Sequence, residues 1–280
     1  MTTKTNRLTP VVALCVLGLA SGAGLFAADA PVFSEDFESG SINPSVWDVR
    51  TNNQAQVKVQ SAIVHGGKNA LQVHYPMGVS GSYGFIVATH LPDSVRTHCF
   101  GRAYMYITPG MPGGHDPLLS AGGKGWPISN FLELGASGGK NVMASYQQNA
   151  ADIPRNETIS SKNPPYPVGK WFCLEWEFSD HPDAINVWID GQPSGELKDF
   201  VVRPRAPRRG AAAPAATAPS ADGTAPAAAP APPEPVKGDN LVKSFDDFAF
   251  GFRYWGSAKA EYDIYYDDIA IDTKRIGPTP

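Results

Sequence analysis

Twenty-two residues, Trp171–Gln192 (WFCLEWEFSDHPDAINVWIDGQ), restrict the fold more than any other stretch of the chain. Phe172, Leu174, Trp176 and Phe178 repeat at every second position, and Ile185, Val187 and Ile189 resume the period beyond the polar turn Ser179–Ala184. A period of two with one apolar face is a β-hairpin that buries one side. Asp190 and Gly191 follow at once, a pair that tolerates the positive φ of a tight turn, so the chain must reverse again there. The opposite face carries Cys173, Glu175, Glu177, Asn186 and Trp188. Carboxylate, amide and indole on the front of a strand pair suit either a sugar-binding sheet or a solvated outer face with one Trp.

Short alternating runs continue along the chain. They fall at Phe33–Gly40, Ser45–Val49, Gln56–Ala62, Ala70–Tyr75, Gly84–His90, Cys99–Thr108, Ser129–Leu134 and Asn141–Gln147. No stretch shows a helical period, so the chain reads as all-β, a sandwich of two antiparallel sheets. Arg203–Pro235 interrupts the pattern with Ala and Pro behind a basic start at Arg203, Arg205, Arg208 and Arg209. Such a tract buries too little to order itself. Only about 40 residues follow it, too few for a stable second domain. They hold two further strands, Phe248–Trp255 and Glu261–Asp272, whose apolar faces need partner sheets. The tract is therefore expected to be a disordered insertion in a loop of one domain spanning 31–280, since loop closure costs only logarithmically in length.

The first 30 residues have Lys4 and Arg7, an apolar run from Val11 to Phe26, and small residues at Ala27, Ala28 and Ala30. This is the pattern of a cleaved secretory signal, which implies an exported protein with no stable membrane insertion afterwards. Two cysteines then remain, Cys99 and Cys173, in an oxidising compartment; a bridge between neighbouring strands and two buried thiols are both open. No CxxC or HxxxH spacing occurs, which argues against zinc. The net charge of −4, from 23 Lys and Arg against 27 Asp and Glu, argues against nucleic acid as partner. Asn156, Glu157 and Thr158 form a glycosylation sequon.

The order of the segments EDFESG, SVW, VHGGKNALQV, GRAYMYI, a His-containing loop, FLELG, YQQN, WFCLEWEF, INVWIDGQ and YYDDIAIDTKRIG resembles the core of the secreted fungal cellulose-induced protein family. That family belongs with glucuronan and alginate lyases in a concanavalin-like β-jelly-roll. The resemblance covers roughly Phe33–Gly277 apart from the Ala/Pro insertion. It implies a concave sheet that holds a polyuronate or related polysaccharide, and a structural calcium ion. Matched by motif, the calcium positions are the Glu38 carboxylate, a main-chain carbonyl at Gly66, Asn69, and Asp267. Hard oxygen ligands from distant parts of the chain are what calcium takes.

β-Elimination on a uronate needs a group to neutralise the C6 carboxylate, a base for the C5 proton and an acid for the departing oxygen. The candidates are His115, Tyr146, Arg102, Gln147 and Glu175, with Tyr104, Glu133, Trp188 and Trp255 as sugar-contacting groups. Arg102, Tyr104 and Tyr106 alternate onto one face of their strand, where Arg102 and Glu175 could equally be a cross-strand ion pair and Tyr104 a packed aromatic. His115 is expected in a flexible loop, Pro109–Asp116. Tyr146 resembles a sugar-facing Tyr of the family, although alternation sends Tyr146 and Gln147 to opposite faces. His65, His74, His90, His98 and His181 have no such context. In FLELG, Phe131 and Glu133 stand where the fungal relatives carry a basic pair, which removes the obvious carboxylate neutraliser. Three functions follow: a polysaccharide lyase or a degenerate relative of one, a non-catalytic carbohydrate-binding protein, and a glycoside hydrolase using Glu133 and Glu175. A structural wall protein is a weaker fourth.

Overall fold

In the computed structural model, residues 30–123, 130–137, 141–148, 156–160, 163–180, 183–198, 201–202, 236–237 and 244–279 are described. The candidate signal segment and the Ala/Pro tract lie outside them.

The strands in chain order are β1 (Phe33–Glu35), β2 (Trp47–Asn52), β3 (Gln56–Gln60), β4 (Ala70–Tyr75), β5 (Tyr83–Ala88), β6 (His98–Ile107), β7 (His115–Gly122), β8 (Asn130–Ser137) and β9 (Asn141–Gln148). They continue as β10 (Asn156–Ser160), β11 (Trp171–Asp180), β12 (Asp183–Ile189), β13 (Gln192–Lys198), β14 (Val201–Val202), β15 (Val236–Lys237), β16 (Asp247–Arg253) and β17 (Tyr262–Asp272). Sheet I has the order β13-β12-β11-β6-β17-β4-β3, with β1 also on β17; sheet II has the order β10-β9-β8-β7-β16-β5-β2. All the pairings are antiparallel, and the two sheets form a β-jelly-roll sandwich.

The core fills the space between the sheets, where alternation along the strands directs the apolar residues. Phe172, Leu174, Trp176 and Phe178 of β11 are buried there, as are Phe248, Phe250 and Phe252 of β16. Trp176 meets Phe250 edge-on at 5.9 Å across the sandwich, and Phe178 stacks on Phe248 at 6.0 Å. The hairpin ends as its sequence requires: Asp190 and Gly191 have φ of 50° and 76°, and Ile189 pairs with Gln192.

The last strands of the chain take central places, β16 between β7 and β5, and β17 between β6 and β4. Pro31–Pro280 forms one compact unit. At the base of the Ala/Pro tract, β14 and β15 pair with each other, Val201 opposite Lys237 and Val202 opposite Val236.

Five strands escape the period-two reading: β7, β10, β13 and the two-residue β14 and β15. The stretch expected to be a loop up to Asp116 ends at Gly114, and His115 opens β7. Cys99 and Cys173 lie on adjacent strands but on opposite faces. Cys99 belongs to the core, whereas Cys173 pairs with Tyr104 on the outer side, so no bridge joins them and both are free thiols. Burial pushes the Cys173 thiol up to about 12 and the Cys99 thiol higher still, which keeps both protonated and unreactive.

Candidate functional site

The predicted site residues other than Tyr146 and the calcium set divide between the two outer faces of the sandwich. Arg102, Tyr104, Glu175 and Trp188 lie on the outer face of sheet I, where Glu175 is directly opposite both Arg102 and Trp188. There they are engaged by the chain's own C-terminal segment. Arg275 donates from Nε and Nη2 to the two oxygens of Glu175 at 3.0 and 2.9 Å, and the Gly277 amide donates to Glu175 Oε1 at 3.0 Å. The Arg275 guanidinium lies 4.4 Å above the Trp188 ring, and Arg102 donates to the Gly277 carbonyl at 3.2 Å. Thr279 donates its amide to the Tyr104 hydroxyl at 2.8 Å, while the Tyr104 ring stacks on His65 at 3.5 Å. Glu175 thus pairs with Arg275 rather than with Arg102, the alternative that its register allowed, and these four residues are engaged by Arg275, Gly277 and Thr279 rather than open.

Glu133 lies on the outer face of sheet II. Leu132, Leu134 and Ala136 of β8 and Val142, Ala144 and Tyr146 of β9 point into the core, so Glu133 and its cross-strand neighbour Ser145 point outward. This corrects the reading of Tyr146: its ring is fully buried between the sheets and faces no sugar. Gln147 pairs with Phe131 by main chain on the outward register, and its side chain lies outside the described residues. Glu133 and Glu175 therefore sit on opposite outer faces. Sheets pack about 10 Å apart, with side chains added on each side. Two such carboxylates cannot flank one glycosidic bond, so the hydrolase pair is not formed.

What sheet II brings together is His115, Glu133 and Ser145. His115 Nε2 is 2.5 Å from Glu133 Oε1, and Ser145 donates to the same oxygen at 3.3 Å. Glu133 is 2 % exposed although it points away from the core, while the His115 side chain is 28 % exposed. Along one row of the sheet, Ser145, Glu133, Ser120, Ala249 and Val87 lie side by side. Phe85, Val87 and Ala249 make a small buried apolar cluster on this outer side, with Tyr83 packed on it. At the end of the face, Trp255 is 60 % exposed and carries the Arg253 guanidinium 3.4 Å above its ring.

One residue that sequence reasoning passed over lies directly behind His115. Asp116 faces inward, is fully buried, and neither of its oxygens has a hydrogen-bond partner. Burial raises it to about 7, opposed by the nearby His115 and reinforced by Glu133. Its place was readable from parity with Leu134 and Ala136 only once β7 was known to be a strand.

The proposed calcium residues gather on the loop His65–Asn69. Glu38 Oε1 accepts the amides of Lys68 and Asn69 at 2.8 and 2.9 Å; Asp267 Oδ2 accepts those of His65 and Gly66 at 3.0 and 3.3 Å. Gly67, at φ 55°, lets the loop close on Glu38, because a Cβ there would run into the carboxylate. Burial pushes Asp267 up to about 6. These oxygen donors match a hard cation in type. Among the described residues no three His, Cys, Asp or Glu side chains converge as a metal-holding group, so an ion there would depend on Asn69 and main-chain carbonyls.

No family model and no curated protein matches the chain. Solved structures do. The cellulose-induced protein Cip1 is 15 % identical with a TM-score of 0.55, covering 88 % of this chain and all of its own. The endo-β-1,4-glucuronan lyase of the fungus Trichoderma reesei is also 15 % identical at a TM-score of 0.55, covering 88 % of this chain and 96 % of its own. A Bacteroides ovatus mixed-linkage glucan family 16 glycoside hydrolase, in complex with a G4G4G3G product, is 13 % identical at 0.53, over 85 % and 99 %. The chain shares the jelly-roll fold of the cellulose-induced protein and of glucuronan lyase.

Proposed function

We propose that the chain is a secreted polysaccharide-active protein that works on the outer face of sheet II, by β-elimination on a uronate-containing glycan. The observation that carries this reading is the His115–Glu133 contact: a half-exposed imidazole held at 2.5 Å by a carboxylate that is itself nearly inaccessible. A carboxylate on one ring nitrogen fixes the orientation of the imidazole, as in other His–carboxylate pairs. In the reaction, the imidazole takes the proton from C5, the C4–O bond breaks as the C4=C5 double bond forms, and the departing oxygen takes a proton from water, to which the imidazolium then returns its own. Glu133 acts as the residue that positions His115. The fold shared with a glucuronan lyase is consistent with this chemistry.

The direct measurement is the ultraviolet absorbance of unsaturated uronates on a panel of polyuronates. His115→Ala is expected to lower turnover by about 10²-fold or more in protein that remains folded at the assay temperature. Glu133→Gln should lower kcat more than it raises KM. Turnover that survives His115→Ala would overturn the assignment of the base.

A second reading, carbohydrate binding without catalysis, is favoured by Trp255, which stands 60 % exposed at the end of the same face. It predicts polysaccharide binding without new absorbance or new reducing ends. Trp255→Ala would then weaken affinity by about 1–3 kcal/mol, by analogy with other aromatic stacking platforms.

Calcium belongs to the same reading as a structural ion at Glu38, Asn69, Asp267 and the Gly66 carbonyl, joining an early loop to the last strand. An ion that binds only the folded state at a hundredfold excess over Kd adds about 2.7 kcal/mol. Chelation should lower the melting temperature, and Asp267→Ala should abolish that response. An unchanged melting curve with chelator, together with no metal in the purified protein, would remove calcium from the account.

A further inference from the structure

The C-terminal segment engages only part of the outer face of sheet I. Beside that part, one row of side chains crosses five strands, from Trp171 to Lys58. We infer that this row, with the Asp263 carboxylate next to it, is a second glycan-binding surface, suited to an uncharged, equatorially linked gluco-oligosaccharide. The inference goes beyond the activity proposed for sheet II and does not depend on which residues act there.

The strand register fixes the row. Trp171 of β11 is opposite Tyr106 of β6, Tyr106 is opposite Tyr265 of β17, Tyr265 is opposite Gln72 of β4, and Gln72 is opposite Lys58 of β3. Their chain neighbours Phe172, Ile107, Ile264 and Leu71 belong to the core, and Val57 and Val59 pack against it, so alternation turns all five outward. Four inter-strand steps of about 4.8 Å make the row roughly 19 Å long, a footprint for several consecutive sugars. The C-terminal segment bonds to Tyr104 on the adjoining row, and among the described residues none of its hydrogen bonds reaches this one. Trp171 and Tyr106 are half-buried, and Lys58 is exposed.

The row is aromatic at one end and polar at the other. Tyr106 meets Trp171 at 5.8 Å and 62°, and Tyr265 at 5.8 Å and 80°, so the three rings brace one another edge to face. Tyr265 is buried and forms the floor, which leaves Trp171 and Tyr106 as the rings a ligand can reach. A pyranose with equatorial substituents turns flat C–H faces to such rings and carries its hydroxyls at the rim. Polar groups stand ready for those hydroxyls. Gln72 Nε2 and His74 Nδ1 lie 2.8 and 3.0 Å from the same oxygen of Asp263, Oδ1, and hold the carboxylate in place. Its other oxygen, Oδ2, has no protein partner among the described residues, and the side chain is 22 % exposed. An open carboxylate oxygen accepts charge-assisted hydrogen bonds from sugar hydroxyls and repels a uronate, which is why the ligand is an uncharged glycan. Lys58 closes the row with further donors. Since His115 lies on sheet II, one molecule can hold one glycan chain on this face while it works on another.

The test uses cellohexaose, an uncharged β-1,4-linked oligosaccharide, with affinity measured by calorimetry on the whole chain at two salt concentrations. The wild type is expected to bind it with an affinity that salt leaves unchanged. Trp171→Ala should weaken binding about tenfold or more, by analogy with other aromatic stacking platforms, and Trp171→Phe, which keeps a ring, should recover most of the loss. Asp263→Asn, which keeps the shape of a partly exposed side chain, should weaken binding several-fold and decides the matter if Trp171→Ala does not fold. Affinity that survives Trp171→Ala in folded protein, or survives Asp263→Asn, overturns the inference. Affinity that is lost through Trp255→Ala instead overturns it as well and moves the oligosaccharide to sheet II. No binding of cellohexaose by the wild type also overturns it, and leaves the reading of sheet II to its own absorbance assay on polyuronates.

Discussion

Asp116 shows how one side chain can set the pH response of the domain. It is a fully buried carboxyl with no hydrogen-bond partner, raised to about 7 in the fold against about 3.9 in an unfolded chain. For an acid raised by folding, the unfolded state releases its proton first. Stability is therefore intact below the unfolded value, falls as pH rises through the interval, and levels off above about 7. The loss is on the order of a few kcal/mol. Asp116→Asn should remove this part of the slope: urea unfolding at pH 4.5 and pH 8 should differ less in the variant than in the wild type. An identical pH dependence in both proteins would show that Asp116 does not carry the slope. Tyr146 makes the complementary point about reading a sequence. Its inward direction was available from Val142 and Ala144 at the same parity. Which outer face of the sandwich is the working one was not available, because both carry carboxylates, aromatics and an arginine.

Among the elements, the segment after β17 distinguishes those faces. Residues 273–279 cross the outer side of sheet I and join Glu175, Arg102, Trp188 and Tyr104 through Arg275, Gly277 and Thr279. Glu175 is 1 % exposed in its side chain and Arg275 is 39 % exposed. Removing one partner of a fully buried pair costs about 3–5 kcal/mol, and the half-exposed arginine brings the expectation for Arg275→Ala nearer to about 2 kcal/mol. A double-mutant cycle with Glu175→Gln measures the coupling, and a coupling near zero would mean that the tail is held by its other contacts. The hairpin β11–β12 was legible from its strict period of two. β7 was not, because HDPLLSAG has a proline, a bulge and no alternation. It is a strand because β8 and β16 supply partners on both sides, which is a property of distant sequence.

At the scale of the whole molecule, the Ala/Pro tract enters and leaves through the β14–β15 pair, so its two ends are already joined at the base. Replacing 203–235 by a short Gly/Ser linker should shift the melting temperature by no more than a few degrees, since loop length enters stability only logarithmically. One cooperative transition is expected with and without the tract, by calorimetry; two transitions in the intact chain would divide the domain in a way its shared sheets do not allow.

The same topology governs when the protein can exist at all. β16 fills the middle of sheet II and β17 the middle of sheet I, and both lie in the final part of the chain. A nascent polypeptide that ends before Asp247 has β13-β12-β11-β6 and β10-β9-β8-β7 but lacks the strands that join them to β4-β3 and to β5-β2. It cannot complete the sandwich, because the pairings of β4 with β17 and of β5 with β16 wait on strands not yet made. Each sheet is thus divided into two separate groups of strands until Asp247–Arg253 and Tyr262–Asp272 have been made.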